Sequence, residues 1–369
     1  MPDPPPALEN LSLLSSHRSK RLWQPQGLET LVIFEYLDCP AYNQQLAVPG
    51  KGSRLALLDA FLFEKLQSAR TWAALPHSPA LSTLASSWLD RRWSHLTFSH
   101  LLSEHGLPTH YRHLIDGTGR HIACKQQFWQ QKLFVEARRA ACPVVRPYSI
   151  GSEQVYFYDS ATSNGVMRLI PLEVIVYFGL CQRNSFSERL QADRSYAQLL
   201  GLRRRPEIGK CFEYPVLEFF ASTEAERRLL SLQEALLISS LPPGQFEELI
   251  ETAYMISLFL FAMYSQSLID LWAARLEFAV DRKGLVLIGS INPDEQVISF
   301  AGTVLPTELA VAGLTRALAE GTLEQFGEHL SAEALELLYD SLSSAIFGNE
   351  ANTPENLRSL CQLFSPTSA

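Results

Sequence analysis

Six cysteines are spread over 369 residues, and no two of them stand as C-x-x-C. Cys39, Cys124, Cys142, Cys181, Cys211 and Cys361 are too far apart in sequence for the paired spacing of a structural zinc site. They fit buried thiols in a reducing cytoplasm. The patterns G-x-x-x-x-G-K-[ST], G-x-G-x-x-G and G-x-S-x-G are all missing, which removes the P-loop and two further motif-based readings. An excess of positive charge is missing too. Lys and Arg total 31 against 39 Asp and Glu, and a net charge of −8 argues against a dedicated nucleic-acid binder. The most apolar run, Tyr254 to Tyr264, has 11 residues, whereas a membrane span takes about 20. It reads as a buried helix. The opening "MPDPPPALEN" lacks the basic-then-apolar pattern of a leader, so a cytoplasmic protein is expected.

Hydrophobic residues make up 47% and charged residues 19%, the balance of a packed protein, and the length allows two domains. Residues 1–10 are too proline-rich for a helix or central strand and read as a disordered tail. Strands are expected over 29–38, 153–160 and 167–180, where β-branched and aromatic residues gather. A helix is expected over 52–69, partly helical sequence over 70–104, and a long helical region over 242–274. Two more helices are expected near 307–320 and 331–347, with a tail over 349–369. Strands lead and helices follow, which predicts an α+β protein of two lobes, divided as 11–175 and 176–348.

Seven of the nine histidines lie between His77 and His121. His95, His100, His105 and His110 recur every five residues, a spacing that does not keep them on one helix face. Surface or packing histidines are therefore expected rather than an H-E-x-x-H type of metal site. "LRRRPEIGK" (202–210) can hold a phosphate or be a solvated basic loop. "VPGKGSR" (48–54) sets Lys51 at a helix start, where free N–H groups suit an anion.

The stretch "RLEFAVDRKGLVLIGSINPDE" (275–295) reads as a hairpin. Leu276, Phe278 and Val280 alternate with more polar residues, Asp281 to Gly284 turn, and Leu285 to Ile288 return. Ile291 to Glu295 then form an acidic loop near Glu277. A strand carboxylate beside an acidic loop can hold a hard cation, or it can be a solvated face.

Taken in order, several segments resemble the phosphoribosylaminoimidazole-succinocarboxamide (SAICAR) synthetase family. They are "SKRLW" (19–23), "DCPAYN" (38–43), "GKGSRLALLDAFLFEKL" (50–66), "GLPTHY" (106–111), "IPLEVIV" (170–176), "NSFSERL" (184–190), "RLEF" (275–278) and "INPDE" (291–295). The resemblance implies a two-lobed ATP-binding fold, with an antiparallel sheet lobe and a mixed helical lobe. It implies ATP-driven amide formation between a carboxylate and an amine, with magnesium. It sets Glu277 at a Mg–ATP carboxylate and Arg275 at a family lysine. Arg18 and Lys20 fall where two lysines lie near the ATP phosphates. Glu173, Val174 and Val176 fall in the segment that meets the adenine edge. Asp38, Lys51, Ser185 and Arg189 match positions that line the cleft.

The departures are specific. Gly289 and Ser290 replace an acidic pair, one member of which helps to hold metal, and Asp294 or Glu295 is the candidate replacement. Tyr177 and Phe178 stand in place of an Arg-Asn pair that reads the phosphoribosyl substrate, offering a stacking surface in place of a charge. Val297 and Ile298 lie where another arginine is expected. A divergent paralogue is therefore expected: a carboxylate–amine ligase of specialised metabolism that uses ATP and Mg2+. Its substrates would be a small-molecule carboxylate and an amine such as an amino acid. A homo-oligomer stays open, and neither nucleic acid nor membrane is a partner. A catalytically inactive relative and a phosphotransferase on the same fold are the alternatives.

Overall fold

Strands β1 (Leu11–Ser16), β2 (Lys20–Pro25) and β3 (Leu31–Tyr36) form an antiparallel meander at the start of the chain. The computed structural model describes residues 10–304, apart from 18, 40–46, 95, 125–130, 152, 160–165, 182–184, 194, 203, 205, 267–268 and 301–302. Every residue of β3, "LVIFEY", is buried, as its β-branched and aromatic content favours. Helix α1 (Lys51–Gln67) covers this strand and is buried on nearly all sides, so it is a core helix and not a surface one. It begins hard against the end of β3. A Cβ on Gly52 would lie 2.2 Å from the carbonyl oxygen of Tyr36, so only glycine allows this approach.

Helices α2 (Ala69–Ala74), α3 (Ser86–Ser94) and α4 (Leu96–His105) follow, joined by short 3-10 turns. Strands β4 (Tyr111–Asp116), β5 (His121–Ile122) and β6 (Leu133–Arg138) then complete a six-stranded antiparallel sheet of order β1-β2-β3-β6-β4-β5.

The chain passes through β7 (Ala140–Ala141) and a separate hairpin of β8 (Val144–Ile150) and β9 (Glu153–Asp159) into the central strand of a second sheet, β10 (Met167–Leu180). Its run "IPLEVIVYFGL" lacks alternation because both faces are buried. Helices α5 (Ser185–Ala192) and α6 (Tyr196–Leu199) lead to β11 (Lys210–Ala221) and β12 (Leu229–Leu230). Helix α7 (Leu232–Ser239) opens with a capping box of Ser231 and Glu234, and α8 (Pro243–Gln266) supplies a long apolar helix. Strands β13 (Ile269–Asp281), β14 (Gly284–Ile288), β15 (Val297–Phe300) and β16 (Thr303–Val304) finish the second sheet. Its order is β12-β11-β10-β13-β15-β16, with β14 also on β13 and β7 parallel to β10. Among the described residues no helix is long and apolar enough to cross a membrane.

One hydrophobic core joins both sheets and includes Val32, Phe34, Leu58, Phe63, Val174, Phe259 and Phe278. The hairpin β13–β14 is also tied directly to the first sheet. Leu287 exchanges backbone hydrogen bonds with Pro108 and His110, and Arg138 pairs with Asp281 at 2.9 Å.

The α+β class with antiparallel sheets agrees with the sequence, and so do the expected hairpin, α1 and β10. The helical region expected to Ala274 ends at Gln266, and Ile269 onward is strand. Burial on both faces of β13 hides its alternation. The expected division at 175/176 falls inside β10. Cys181 is buried, but Cys142 and Cys211 are exposed, because both lie at strand ends. The tail over 1–9, the helices near 307–320 and 331–347 and the tail over 349–369 lie outside the described residues.

Candidate active site

The ends of β2 and β3, the start of α1, strand β13 and the loop after β14 converge on a row of alternating charges. Lys51, the first residue of α1, is fully buried. Its ammonium donates to the Cys39 carbonyl at 3.2 Å and forms an ion pair with Asp294. The backbone N–H of Gly52 donates to Asp38 at 2.7 Å, which fixes the loop before the helix. Asp294 sits in a 3-10 turn capped by Asn292, whose side-chain oxygen accepts its N–H at 3.1 Å. Such placement of Asn and Pro is the usual chemistry of a helix start.

Lys20 enters from β2 and meets Glu295 at 2.5 Å and the Ser290 hydroxyl at 3.3 Å. Burial works against its charge, but Glu295 and Glu277 outweigh burial and raise its pKa. Ser290 also meets the Tyr36 hydroxyl at 2.8 Å, and Tyr36 donates to Asp59 of α1. Asp59 in turn accepts the N–H of Ile291 at 2.8 Å. Burial raises the Asp59 carboxyl to about 7, against the lowering effect of the Tyr36 hydrogen bond. The same burial, with the Asp59 charge, pushes the Tyr36 phenol well up. His17 lies nearby, its pKa lowered by burial and by the Lys20 charge.

Arg275 is the hub of the row. Its guanidinium pairs with Glu295 and Glu173, and with Glu277 at 3.2 Å. Glu173 on β10 lies directly opposite Glu277 on β13. Two like charges in that relation repel, and the guanidinium of Arg275 bridges them. Glu277 is half-buried, while Glu173 and Glu295 are buried. Arg227 continues the row by pairing with Glu173, and its guanidinium lies 4.0 Å from the centre of the Phe220 ring. Across that ring Arg189 pairs with Glu218, which also accepts from Tyr196.

Of the residues expected from sequence, Lys20, Asp38, Lys51, Glu173, Arg275, Glu277 and Asp294 belong to this assembly. Arg189 joins its far end. Arg18 lies outside the described residues, and so does the Ser185 side chain. Three positions need correction. Val174 and Val176 are fully buried in the core, and β10 is paired there with β11 on one edge and β13 on the other. No backbone edge is left at those residues for a base. The Tyr177 ring is buried and already stacked on Phe186 at 4.3 Å, so it offers a ligand no free face. Asp294 is committed to Lys51, whereas Glu295 shares Arg275 with Glu277. Of the two carboxylates in the loop, Glu295 is the one linked to Glu277.

Sequence reasoning missed Tyr36, Asp59, Arg227 and Glu218. Asp59 carried a signal, a lone carboxylate inside the apolar run "LALLDAFLF". The other three gain meaning only from strand pairing. Gly289 is also more constrained than a simple loss of acid. Its φ is 79°, and a Cβ there would lie 2.7 Å from Glu277 Oε2. The 202–210 run is partly described, and Arg204 lines a cavity of 490 Å³ with Leu180, Leu190 and Leu202.

The fold and the converging charges define the class: an α+β protein with the SAICAR synthetase fold, two large, mainly antiparallel sheets packed with helices. SAICAR-synthase from Saccharomyces cerevisiae, in complex with SAICAR, aligns with a TM-score of 0.54 over 93% of this chain and 97% of its own, at 14% identity. A second SAICAR synthase structure gives the same TM-score of 0.54 and identity of 14%. In sequence the chain is 26% identical to a putative phosphoribosylaminoimidazole-succinocarboxamide synthase of Archaeoglobus fulgidus, over 214 residues. That match covers 58% of this chain and 61% of the relative's length. No family model matches. The chain thus shares the SAICAR synthetase fold and, over part of its length, is similar in sequence to a putative SAICAR synthase.

Proposed function

We propose that the chain is an ATP-dependent ligase that joins a small-molecule carboxylate to an amine, such as that of an amino acid, in specialised metabolism. One observation carries the reading. Lys20, Lys51 and Arg275 come from three separate segments and meet the carboxylates Glu277, Asp294 and Glu295 in one row, on the SAICAR synthetase fold. Cations in such a row suit the phosphates of ATP. Glu277 offers a hard oxygen donor of the kind magnesium takes, while both oxygens of Glu295 accept from Lys20 and Arg275. When bound, magnesium supplies neutralisation of phosphate charge. Lys20 and Arg275 orient the transferring phosphoryl group and balance its charge. A substrate carboxylate oxygen attacks the terminal phosphorus, and ADP leaves. The amine lone pair then attacks the acyl carbon, phosphate leaves, and the amine loses a proton.

The changes at Tyr177 and Val297 support a substrate other than the purine intermediate, since a phosphoribosyl group needs cations. A second reading, nucleotide binding without turnover, is favoured by Gly289, whose backbone packs on the Glu277 carboxylate where the resembled family carries an acid. The test is incubation of the protein with Mg–ATP and a panel of carboxylates and amino acids, followed by mass spectrometry. The ligase predicts ADP and a product of mass carboxylate plus amine minus water. Binding of ATP with no ADP for any pair would favour the second reading. ADP with a phosphorylated product and no amide would make the protein a phosphotransferase.

A further inference from the structure

His113, His121 and Glu136 meet on the first sheet, outside the charged row. None of them belongs to the five-residue histidine series of the sequence. Strand register brings them together. His113 on β4 lies opposite Glu136 on β6, and His121 on β5 lies opposite Ile115, two residues along β4 from His113. Residues two apart on a strand share a face, so all three side chains stand on one side of the sheet. Ile33, Ile115 and Phe134 are buried together on that side, beneath and beside the three polar groups.

The geometry is that of a ligand set. One ring nitrogen from each histidine and one carboxylate oxygen all lie within 4.8 Å of one another. The two imidazoles are stacked, with centroids 3.8 Å apart and 20° between their planes, so one ring must turn about its side-chain torsions for both in-plane lone pairs to meet one ion. His121 Nε2 faces Glu136 Oε2 at 3.8 Å. That is too long for a hydrogen bond, and it is within a few tenths of the ~3.3 Å that separates two ligand atoms across a tetrahedral zinc ion. The other oxygen of Glu136 faces Arg112 Nε at 3.4 Å. The guanidinium thus orients the carboxylate while leaving Oε2 toward the histidines, as outer-shell partners do at metal centres. The β4–β6 register also slips between Tyr111 and His113. A bulge at that point re-aims the side chain that follows it.

We propose that His113, His121 and Glu136 bind a divalent transition ion of the zinc class, with water as the fourth ligand and Arg112 as the positioning residue. Two imidazoles and one carboxylate suit zinc and disfavour magnesium, which takes oxygen ligands. The ion would tie the short edge strand β5 to β4 and β6, and so stabilise the sheet edge.

The test is calorimetric titration of zinc chloride into the full chain, in buffer with magnesium present, for wild type, Glu277→Gln, His113→Gln and His121→Gln. Melting temperature without zinc checks the fold of each variant. His121 is 31% exposed, so its replacement leaves the sheet intact. Wild type and Glu277→Gln should bind one equivalent at this site. His113→Gln and His121→Gln should each weaken it by more than the roughly 10–100-fold cost of losing an outer-shell partner. Saturating zinc should raise the melting temperature of wild type and not of the histidine variants. Equal zinc affinity in all four proteins, which would assign binding to exposed thiols such as Cys142, overturns the proposal. So does an absence of binding by wild type.

Discussion

Replacing Glu277 with Gln separates a metal-binding hairpin from a structural one. Gln keeps the shape of Glu and removes only its charge. Arg275 retains Glu295 and Glu173, so the fold should survive. A unit charge about 4 Å from an opposite unit charge contributes ~4 kcal/mol at an effective dielectric of about 20. The Glu277 side chain is 28% exposed, so solvent screens part of this. A remainder of about 2 kcal/mol corresponds to roughly a 30-fold loss in Mg–ATP affinity. Gly289 has no side chain to share that load, so nothing at that position compensates. Turnover, once the substrate pair is known, should fall about 100-fold or more, the scale for a lost group that acts on transition-state charge. The assay is calorimetric titration of Mg–ATP into both proteins, with melting temperatures in parallel. Unchanged affinity in a folded Glu277→Gln protein would refute the reasoning and make the hairpin structural.

Three further outcomes are expected. Lys51→Met leaves Asp294 buried without its cation and should cost about 3–5 kcal/mol in urea denaturation, and the double variant Lys51→Met/Asp294→Asn should recover part of it. Asp59 is pushed up to about 7, so between about pH 4 and 7 the folded chain holds a proton that the unfolded chain has lost, and the Asp59 contribution to stability falls as pH rises. Asp59→Asn removes that slope, so the stability of the variant relative to wild type should climb by up to about 1.4 kcal/mol per pH unit across this window, and a flat difference would contradict it. Expression in a purine auxotroph that lacks SAICAR synthetase should not restore growth, because Tyr177 and Val297 supply no cation for a phosphoribosyl group.

The sequence made local features legible and left their partners hidden. The β13–β14 hairpin, α1 and β10 follow from periodicity, turn chemistry and β-branched content. Lys51 stood out at a helix start and Glu277 beside an acidic loop, whereas Lys20 and Arg275 stood out only because they sit in segments similar to a known family. Which carboxylate each cation meets was not legible. Asp294 and Glu295 are adjacent in sequence, yet a 3-10 turn sends one to Lys51 and the other to Lys20 and Arg275. Tyr177 is similarly instructive. An aromatic in place of a charge reads as a stacking surface, but Phe186, arriving on α5, already fills it. The histidine cluster was hidden for the same reason. His113, His121 and Glu136 have no helical spacing and share a face only through the pairing of three strands.

The central claim is that the charged row is a nucleotide site, and a thermal-shift measurement with Mg–ATP tests it most directly. A ligand that binds only the folded chain raises its melting temperature. A clear rise with Mg–ATP at millimolar concentration, reduced in Glu277→Gln, is the expected result. No shift with any nucleoside triphosphate at that concentration would contradict the claim.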